Sequence, residues 1–477
     1  MDNTGITPDS HRIRLLVAIA SYGEKNMHFL KQVIRNYQNM AMAVDVVVVS
    51  EAPKDLGNGV RVQVGLPSKN PWSLPFAHKD ILAKAVDSYD LFVYSEDDLG
   101  VSEANIKAFL RATAELKPDE IAGFLRYEVD QSGAWLLTEP WGHYHWKTES
   151  VRRRGAYTVA EFTNEHAGFY ILTQTQLKRA IASGGFLREP YTGRYSWPET
   201  AATDPYTSCG FRKVICISDI DDFLIHHMPN RYADGLPVSL SAFKEQIQTL
   251  LEIQDGHHPA SILCAVESEF FPSRWQKSYY EKPNDEWLRM IPDEAKTVLT
   301  IGCGWGATEE KLKQRGLKVT TLPLDSVVGK QAARQGIETI YGEMDECFNT
   351  LGERSFDCVL LTNLLHLQPD PKILVEHCIR KVVKGGTLIL SGPNFDRAPW
   401  FIRRNFSTGE FRRLRRFDSS GISICGPGTL AECIDKNGSH VVAVRWLDHV
   451  IEQGWLRGSR ISLGRFTARQ WILQARC

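Results

Sequence analysis

The stretch VLTIGCGWGATEEKLKQRG, residues 298–316, carries the strongest structural signal in the chain. Its β-branched start predicts a buried strand, Gly302, Gly304 and Gly306 predict a turn, and a helix is expected from about Ala307. Glycine in such a turn permits positive φ and close approach of a ligand, and the N–H groups of a helix N-terminus attract anions. The pattern indicates a ligand site, although an ordinary glycine-rich turn has the same spacing.

The sequence beyond this turn continues as alternating strand and helix patterns. These are LKVTTLPLD (317–325), IETIYGEMD (337–345), SFDCVLLTNLLHLQPDP (355–371) and ILVEHCIRKVVKGGTLILSGPN (373–394). The series resembles the class I S-adenosylmethionine-dependent methyltransferases over roughly Tyr279 to Asn394, and residues 415–446 and 465–476 look like the last helix and strands of that family. The resemblance implies a Rossmann-like fold and S-adenosyl-L-methionine as the methyl donor.

The resemblance also implies which residues surround that donor. The three glycines border its methionine part, Glu343 and Met344 lie beside the adenine, and Asn363 faces the sulfonium. An exposed acid at a strand end is the alternative for Glu343, and a turn former for Asn363. His366 is the nearest candidate base for an acceptor hydroxyl, and a packed histidine is the competing interpretation.

Two positions depart from the family pattern. Thr300 stands where the family usually has an acid two residues before the first glycine, so contact with the donor's amino group is expected to be weaker. Pro323 occupies the usual position of the acid that ends the second strand. Asp325 lies near the offset of roughly 20 residues at which nucleotide-binding folds place a ribose-binding carboxylate, and it is the candidate for that role.

An apolar strand in the N-terminal half, YDLFVYSEDDLG (89–100), ends in Glu96, Asp97 and Asp98. Adjacent carboxylates repel one another unless a cation neutralises them, and hard divalent cations prefer oxygen ligands. The triplet therefore indicates a metal site. A solvated acidic loop is the alternative.

With TAATDPYTSCGFRKVICISDIDDFLIHH (200–227), this strand resembles the GT-A glycosyltransferases that build polysaccharides. The resemblance implies that the acidic triplet, with His226 or His227, binds a divalent cation, Mn²⁺ or Mg²⁺, which holds the diphosphate of a nucleotide sugar; His226 is the candidate chosen. Asp204 matches the acidic residue that opens a helix in those enzymes, and it is the candidate catalytic base. A helix N-cap before Pro205 is the alternative for it.

Aromatic residues between these motifs offer flat faces for sugar rings, and core packing is the alternative for them. They are Trp135, Trp141, Tyr144 and Trp146. The run Arg152–Arg154 could meet a phosphate, although such charge runs are usually solvated.

Together these patterns predict an α/β protein with two domains. Residues 11–253 form a GT-A-like domain, residues 254–273 a linker, and residues 274–477 a class I methyltransferase domain. The chain has 56 lysines and arginines against 57 aspartates and glutamates, so it has no net positive charge. Nucleic acid is therefore not an expected partner.

Compartment and membrane attachment are inferred from the same sequence. The first residues lack a secretory signal pattern, the apolar runs are too short to span a bilayer, and ten cysteines without a CxxC pair suit reduced, buried thiols. A cytoplasmic enzyme is expected, with peripheral membrane association left open. The oligomeric state is not predicted.

The function expected from these patterns is bifunctional: sugar transfer from a nucleotide sugar and methylation of a glycan, in a surface polysaccharide or glycolipid. The first alternative is a methyltransferase whose N-terminal domain binds glycan without transferring sugar. The second is a scaffold in which Thr300 and Pro323 mark a donor site that no longer binds.

Overall fold

The computed structural model describes residues 12–235, 238–268, 275–397, 413–414, 416–447 and 467–477. The chain divides into two compact units. Unit 1 comprises the described parts of Met1–Trp141 and Ser150–Ile247, and unit 2 those of Gly142–Glu149 and Gln248–Cys477. The N-terminal residues, on which the expectation about a secretory signal rests, lie outside the described residues.

Unit 1 is built on a five-stranded sheet in the order β11-β4-β1-β2-β3, in which β11 is antiparallel to its neighbour and the other pairs are parallel. Two four-stranded sheets, β6-β12-β10-β9 and β5-β13-β7-β8, complete it. The strands are β1 (Arg14–Ala20), β2 (Ala43–Ser50), β3 (Val60–Val64), β4 (Leu91–Glu96), β5 (Leu99–Gly100), β6 (Glu120–Ala122), β7 (Leu125–Val129), β8 (Trp135–Leu137), β9 (Trp146–Arg154), β10 (Tyr157–Phe162), β11 (Phe169–Thr173), β12 (Arg212–Cys216) and β13 (Leu224–His227).

The helices of the N-terminal half are interspersed with these strands. They are α1 (Met27–Gln38), α2 (Ala77–Lys84), α3 (Glu103–Thr113), α4 (Gln174–Ala182), α5 (Trp197–Thr207) and α6 (Leu240–Gln254), with 3₁₀ turns at Pro71–Phe76, Ile217–Phe223 and Ala233–Gly235. In α1 the buried residues Leu30, Val33, Ile34 and Tyr37 follow the i, i+3, i+4, i+7 spacing of one helix face. That spacing packs α1 against the sheet.

Parallel pairing of β1 with β4 brings Ala20 opposite Glu96. Both strands run in the same direction, so the acidic triplet lies at the carboxyl edge of the sheet, where open α/β folds bind their ligands. The valines at 46–49 of β2 are buried beside β1 because both faces of this part of the sheet are covered.

Unit 2 contains a sheet with seven described strands in the order β16-β15-β14-β17-β18-β20-β19. The first five are parallel, and β20 is antiparallel to both neighbours. The strands are β14 (Thr297–Cys303), β15 (Lys318–Pro323), β16 (Glu338–Thr339), β17 (Phe356–Thr362), β18 (Val382–Pro393), β19 (His440–Leu447) and β20 (Gln470–Arg476). This arrangement confirms the predicted Rossmann-like layer.

The helices of unit 2 alternate with these strands. They are α7 (Asp285–Met290), α8 (Ala307–Gln314), α9 (Ser326–Arg334), α10 (Met344–Leu351), α11 (Pro371–Arg380), α12 (Phe417–Ser420) and α13 (Pro427–Lys436), with a 3₁₀ turn at Leu365–Leu367. Gly302 and Gly306 have φ of 81° and 84°, which glycine adopts without strain. The predicted glycine turn between β14 and α8 is therefore present.

Two further expectations concern membranes and thiols. Within the described ranges, no helix combines the length and the apolar character that crossing a bilayer requires. All ten cysteines are unpaired, and eight of them are buried. Cys264 and Cys477 are half-buried.

Candidate functional site

The glycine turn of unit 2 lies against residues that precede the first strand of its sheet. The Trp305 N–H donates to the Tyr279 carbonyl oxygen at 2.8 Å. A Cβ on Gly304 would lie 2.2 Å from that same oxygen. Close approach of the backbone at Tyr279 therefore requires glycine at position 304.

A buried polar group stands beside the turn. The Lys277 side chain is 1% exposed, and its Nζ donates to Glu281 Oε2 at 2.5 Å, to the Thr362 carbonyl at 2.9 Å and to Thr362 Oγ1 at 3.2 Å. Asn363 follows β17 with a left-handed φ of 51°, and its Nδ2 donates to Glu281 Oε1 at 2.6 Å. Glu281 thus joins Lys277 to Asn363.

Neither Lys277 nor Glu281 was singled out from the sequence. A lysine and a glutamate four residues apart are a recognisable pair signal in a helix, but residues 275–284 are not helical. Asn363, in contrast, was predicted to face the sulfonium of the donor; the structure places its side chain in contact with Glu281, and that role stays a prediction.

The cavity enclosed by the turn measures about 20 Å³ and is lined by Lys277, Glu281, Thr300, Thr362 and residues 301–309. That is room for one water molecule. Thr300 Oγ1 donates to Thr321 Oγ1 at 2.8 Å, so its hydroxyl is used within the sheet. In this arrangement that cavity is too small for the methionine part of S-adenosyl-L-methionine.

Asp325, the predicted ribose ligand, is 1% exposed and caps helix α9. Its Oδ1 accepts the N–H groups of Val327 at 2.8 Å and Val328 at 2.9 Å. Burial raises the pKa of Asp325 to about 7, although those two N–H groups lower it. The structure gives Asp325 a helix-capping role, and ribose binding stays a prediction.

Glu343 and Met344, predicted to lie beside an adenine, stand at the start of α10 on the wall of a cavity of about 500 Å³. The Met344 N–H donates to the Leu263 carbonyl at 3.0 Å. The residues before β14 therefore also reach the start of α10, where the Leu263 carbonyl accepts the Met344 N–H.

His366, the candidate base, is 2% exposed, and its Nε2 contacts the Trp275 carbonyl oxygen. Burial lowers the pKa of His366 to about 4, although the Trp275 carbonyl raises it. His366 and Trp275 line a cavity of about 580 Å³ together with Glu281 and Asn363. The structure thus brings two of the predicted residues, Asn363 and His366, to one open cavity.

In unit 1 the acidic triplet is held by neutral and cationic groups. Asn26 Nδ2 donates to Asp97 Oδ1 at 2.8 Å and to Asp98 Oδ2 at 3.0 Å, and Arg231 lies 3.5 Å from Asp98 Oδ2. Burial raises the pKa of Glu96 to about 7, and the Asp98 carboxylate adds to this effect. Burial also raises the pKa of Asp97, although the Asn26 hydrogen bond lowers it.

His227, and not the chosen His226, faces this cluster. His227 Nε2 lies 3.6 Å from Asp98 Oδ2, and its Nδ1 lies 2.5 Å from Glu128 Oε1. Burial lowers the pKa of His227, but the Asp98 and Glu128 carboxylates outweigh it and the net shift is upward. His226 instead stacks on Tyr127 and bonds Asn230 Oδ1 at 3.0 Å, because successive residues of a strand point to opposite faces.

The metal site predicted from Glu96, Asp97, Asp98 and His226 has no further support. In the part of the chain that the structure describes, no three or more His, Cys, Asp or Glu side chains form a group that could hold a metal ion.

Asp204 lies in the interior of unit 1. It is 0% exposed, forms an ion pair with Lys79 and accepts hydrogen bonds from Tyr191 at 2.6 Å and Ser208 at 3.0 Å. It stands inside α5, which begins at Trp197, so its interpretation as an N-cap is wrong. Its partners occupy the carboxylate that a catalytic base would present to an acceptor.

The predicted sugar-binding aromatics divide into two groups. Trp135 and Trp141 are 41% and 53% exposed, and Trp135 stacks on Tyr127 with ring centroids 4.0 Å apart. Trp146 is 1% exposed and belongs to the core.

The arginine run is structural rather than a phosphate site. Arg152 and Arg154 bond the buried Glu120 carboxylate at 2.8–3.1 Å. Burial raises the pKa of Glu120, but these arginines outweigh it and hold the value at about 2.

Comparison with known proteins finds a methyltransferase domain within unit 2. Residues 299–390 match the family model described as a methyltransferase domain. The predicted class I methyltransferase domain is therefore confirmed for the C-terminal part of the chain.

Curated relatives match over part of their length. The ubiquinone biosynthesis O-methyltransferase of Idiomarina loihiensis is 31% identical over 112 residues, which are 22% of this chain and 46% of that protein. The enzymes of the same name from Serratia proteamaculans and Proteus mirabilis are 27% and 32% identical, covering 31% and 32% of this chain and 65% and 63% of those proteins. The chain thus spans from under half to about two thirds of the length of these relatives.

Among solved structures, a SAM-dependent methyltransferase from Archaeoglobus fulgidus aligns with a TM-score of 0.32 and 14% identity, over 40% of this chain and 90% of that one. Magnesium protoporphyrin IX methyltransferase from Synechocystis, with bound SAH, aligns with a TM-score of 0.28 and 16% identity, over 40% of this chain and 78% of that one.

Proposed function

We propose that unit 2 transfers a methyl group from S-adenosyl-L-methionine to an oxygen atom of an acceptor. The observation that carries the proposal is the match of residues 299–390 to a methyltransferase domain. The contact of Glu281 with Asn363 at the same sheet edge as the glycine turn supports it. The choice of oxygen is supported by the curated relatives, which are named O-methyltransferases.

The donor, when bound, supplies a methyl group activated by the positive charge of a sulfonium. Glu281 presents a carboxylate at this edge, and Asn363 holds that carboxylate in place. Two fixed polar groups beside the reacting position contribute by orientation, because a small displacement of reacting atoms costs a large factor in rate.

His366 acts as a positioning residue. Its Nε2 faces the Trp275 carbonyl oxygen, so this nitrogen carries the hydrogen. The hydrogen bond holds Trp275 in the wall of the cavity of about 580 Å³, which we propose binds the acceptor. A histidine whose pKa is about 4 is neutral at physiological pH and is a weak base. It therefore holds the cavity in shape, and the proton of the acceptor hydroxyl passes to solvent.

For unit 1 we propose binding of the glycan part of a polysaccharide or glycolipid acceptor, without sugar transfer. The exposed ring of Trp135, stacked on Tyr127, offers a flat apolar surface, and aromatic residues present such surfaces at low entropic cost. The buried ion pair of Asp204 with Lys79 supports the absence of transfer.

A second candidate function for unit 1 is sugar transfer from a nucleotide sugar with a divalent cation. The observation that favours it is Asp98 Oδ1, which is buried and has no hydrogen-bond partner among the described residues. A thermal-shift panel with UDP, GDP and TDP tests it. Stabilisation by one nucleotide only with Mn²⁺, lost in Asp98→Asn, would favour transfer, and no response to any nucleotide would favour glycan binding alone.

Methyl transfer is tested first by calorimetric titration of the full chain with S-adenosylhomocysteine. Saturable binding below millimolar concentration is expected. Gly302→Val should lose it, because the φ of 81° strains a β-branched residue and its Cβ would lie 2.9 Å from Leu364. Gly428→Ala, at a glycine with open space around it, is the matched control and should keep it. Absence of saturable binding both in the parent chain and in variants that lack the Lys277 ammonium would refute the proposal.

A further inference from the structure

The described residues of 258–281, here called the covering segment, run along the carboxyl edge of β14 and β15. Ser261 N donates to Ser326 Oγ at 2.7 Å, and Ser326 N donates to the Ser261 carbonyl at 3.0 Å. Further along, the Lys277 ammonium donates to the Thr362 carbonyl at 2.9 Å. Contacts between the segment and the rest of unit 2 therefore lie near both of its ends.

The first part of the segment occupies the nucleoside side of the edge. Ile262 forms an antiparallel bridge with Asp325, and Leu263, 2% exposed, donates its N–H to the Leu324 carbonyl at 2.9 Å. The Leu263 carbonyl accepts the Met344 N–H at 3.0 Å. The backbone of Leu263 thus bonds both the Leu324 carbonyl, which follows β15, and the Met344 N–H, which follows β16.

The last part of the segment fills the space at the glycine turn. The Lys277 ammonium lies in the small cavity next to Thr300, with the Thr362 carbonyl, Thr362 Oγ1 and Glu281 as its three partners. Two oxygens and a carboxylate are the partners that any ammonium group prefers. The site is therefore built for one cation, and this cation belongs to the chain.

Residues 142–149, which belong to unit 2, hold the segment in place. Tyr279 N donates to the Gly142 carbonyl at 2.9 Å, and the His145 ring stacks on the Tyr279 ring at 4.2 Å with an interplanar angle of 9°. Tyr279 in turn accepts the Trp305 N–H of the glycine turn. The covering segment is thus fixed from both sides.

We propose that Lys277 is an internal competitor of the methyl donor. Its ammonium occupies the place at the glycine turn that the donor's own ammonium needs, and the covering segment must withdraw before the donor binds. The inference rests on the proposed methyl transfer. S-adenosyl-L-methionine brings an ammonium and a sulfonium, and like charges at contact distance in a nearly dry cavity repel strongly. When Lys277 leaves, Glu281 and the Thr362 carbonyl become available to the incoming cation.

The experiment compares the full-length parent with Lys277→Met and Lys277→Gln. Binding of S-adenosylhomocysteine, which has the ammonium without the sulfonium, is measured by calorimetric titration. At least tenfold tighter binding is expected in both variants. Lys282→Met, which removes an exposed lysine five residues away, is the matched control and should bind as the parent does.

Hydrogen exchange followed by mass spectrometry gives a second readout that is independent of catalysis. In the parent, addition of S-adenosylhomocysteine should speed exchange at the Leu263 and Lys277 amides, because the covering segment withdraws. Glutamine at 277 keeps a donor for the Thr362 carbonyl without the charge, so it separates the effect of charge from a loss of packing.

Four results have distinct meanings. Weaker binding in both Lys277 variants would overturn the competition and assign the Lys277 ammonium to the donor's carboxylate. Unchanged binding in both variants would also overturn the competition. Slower exchange of the covering segment on ligand addition would overturn its withdrawal. Binding in neither the parent nor the variants would instead refute the proposed methyl transfer, which keeps the two failures apart.

Discussion

Replacement of Asp204 by alanine tests whether this residue is structural or catalytic. Lys79 is 2% exposed and Asp204 is 0% exposed, and the rings of Phe76 and Phe186 lie 4.5 and 5.8 Å from the Lys79 ammonium. Burial lowers the pKa of Lys79, and the Asp204 carboxylate opposes this. Removal of the carboxylate leaves a buried ammonium among aromatic rings.

The expected loss is ~3–5 kcal/mol of unfolding free energy, the cost of removing one partner of a buried ion pair. With a urea dependence of ~2–3 kcal/mol per molar, the midpoint falls by ~1–2 M. The loss should shrink at mildly alkaline pH. Without its carboxylate, Lys79 binds a proton less readily in the folded chain than in the unfolded chain, so stability rises with pH.

Urea unfolding followed by tryptophan fluorescence measures this effect. The double variant Lys79→Met/Asp204→Leu should recover most of the loss, because a packed apolar pair can replace a buried ion pair. Asp87→Ala, which removes an exposed partner of Lys178, is the control and should leave the midpoint unchanged. An Asp204→Ala midpoint equal to that of the parent would contradict the reasoning and return Asp204 to the candidates for catalysis.

Three further predictions concern the donor edge and the aromatic surface. Asp325→Asn still caps its helix, but it removes a group whose pKa is raised to about 7. In the parent, the free energy of unfolding should fall by ~2–4 kcal/mol as the pH rises from about 4 to 7, because the unfolded chain releases a proton that the folded chain retains. Urea titrations that show the same fall in the variant would contradict this. Gly304→Ala should lower the melting temperature by several degrees in differential scanning fluorimetry, because its Cβ would lie 2.2 Å from the Tyr279 carbonyl oxygen; an unchanged value would show that the backbone at Tyr279 yields freely. Trp135→Ala should weaken retention in glycan-containing affinity gels at an unchanged melting temperature, since its ring is exposed and stacked on Tyr127; equal retention would exclude this surface as a glycan site.

Local patterns in the sequence were sufficient to predict the first strand, turn and helix of the sheet in unit 2. The β-branched run before Gly302 and the glycine spacing predicted the strand, turn and helix that the structure contains. The choice of Asn363 came only from the resemblance to the class I methyltransferases; the structure places it directly after β17, which pairs in parallel with β14, so both strands end at one edge of the sheet.

The polar contacts inside the sites could not be predicted in this way. The partner of Asp204 is Lys79, 125 residues earlier in the chain, and no local pattern links them. The choice between His226 and His227 depends on strand register, where one residue exchanges the two faces. For α5, the residues SWP at 196–198 are a helix-start signal, and they were passed over in favour of Pro205.

The inclusion of residues 142–149 in unit 2 has a consequence for how the chain folds during synthesis. Gly142 meets Ser278, 136 residues later, and a ribosome needs roughly 7–27 s to add that length. Strand β20 lies between β18 and β19, so the described sheet of unit 2 is complete only when residues 470–476 have emerged. A chain released early would expose the free edge of β18, and an unpaired strand edge is a template for aggregation.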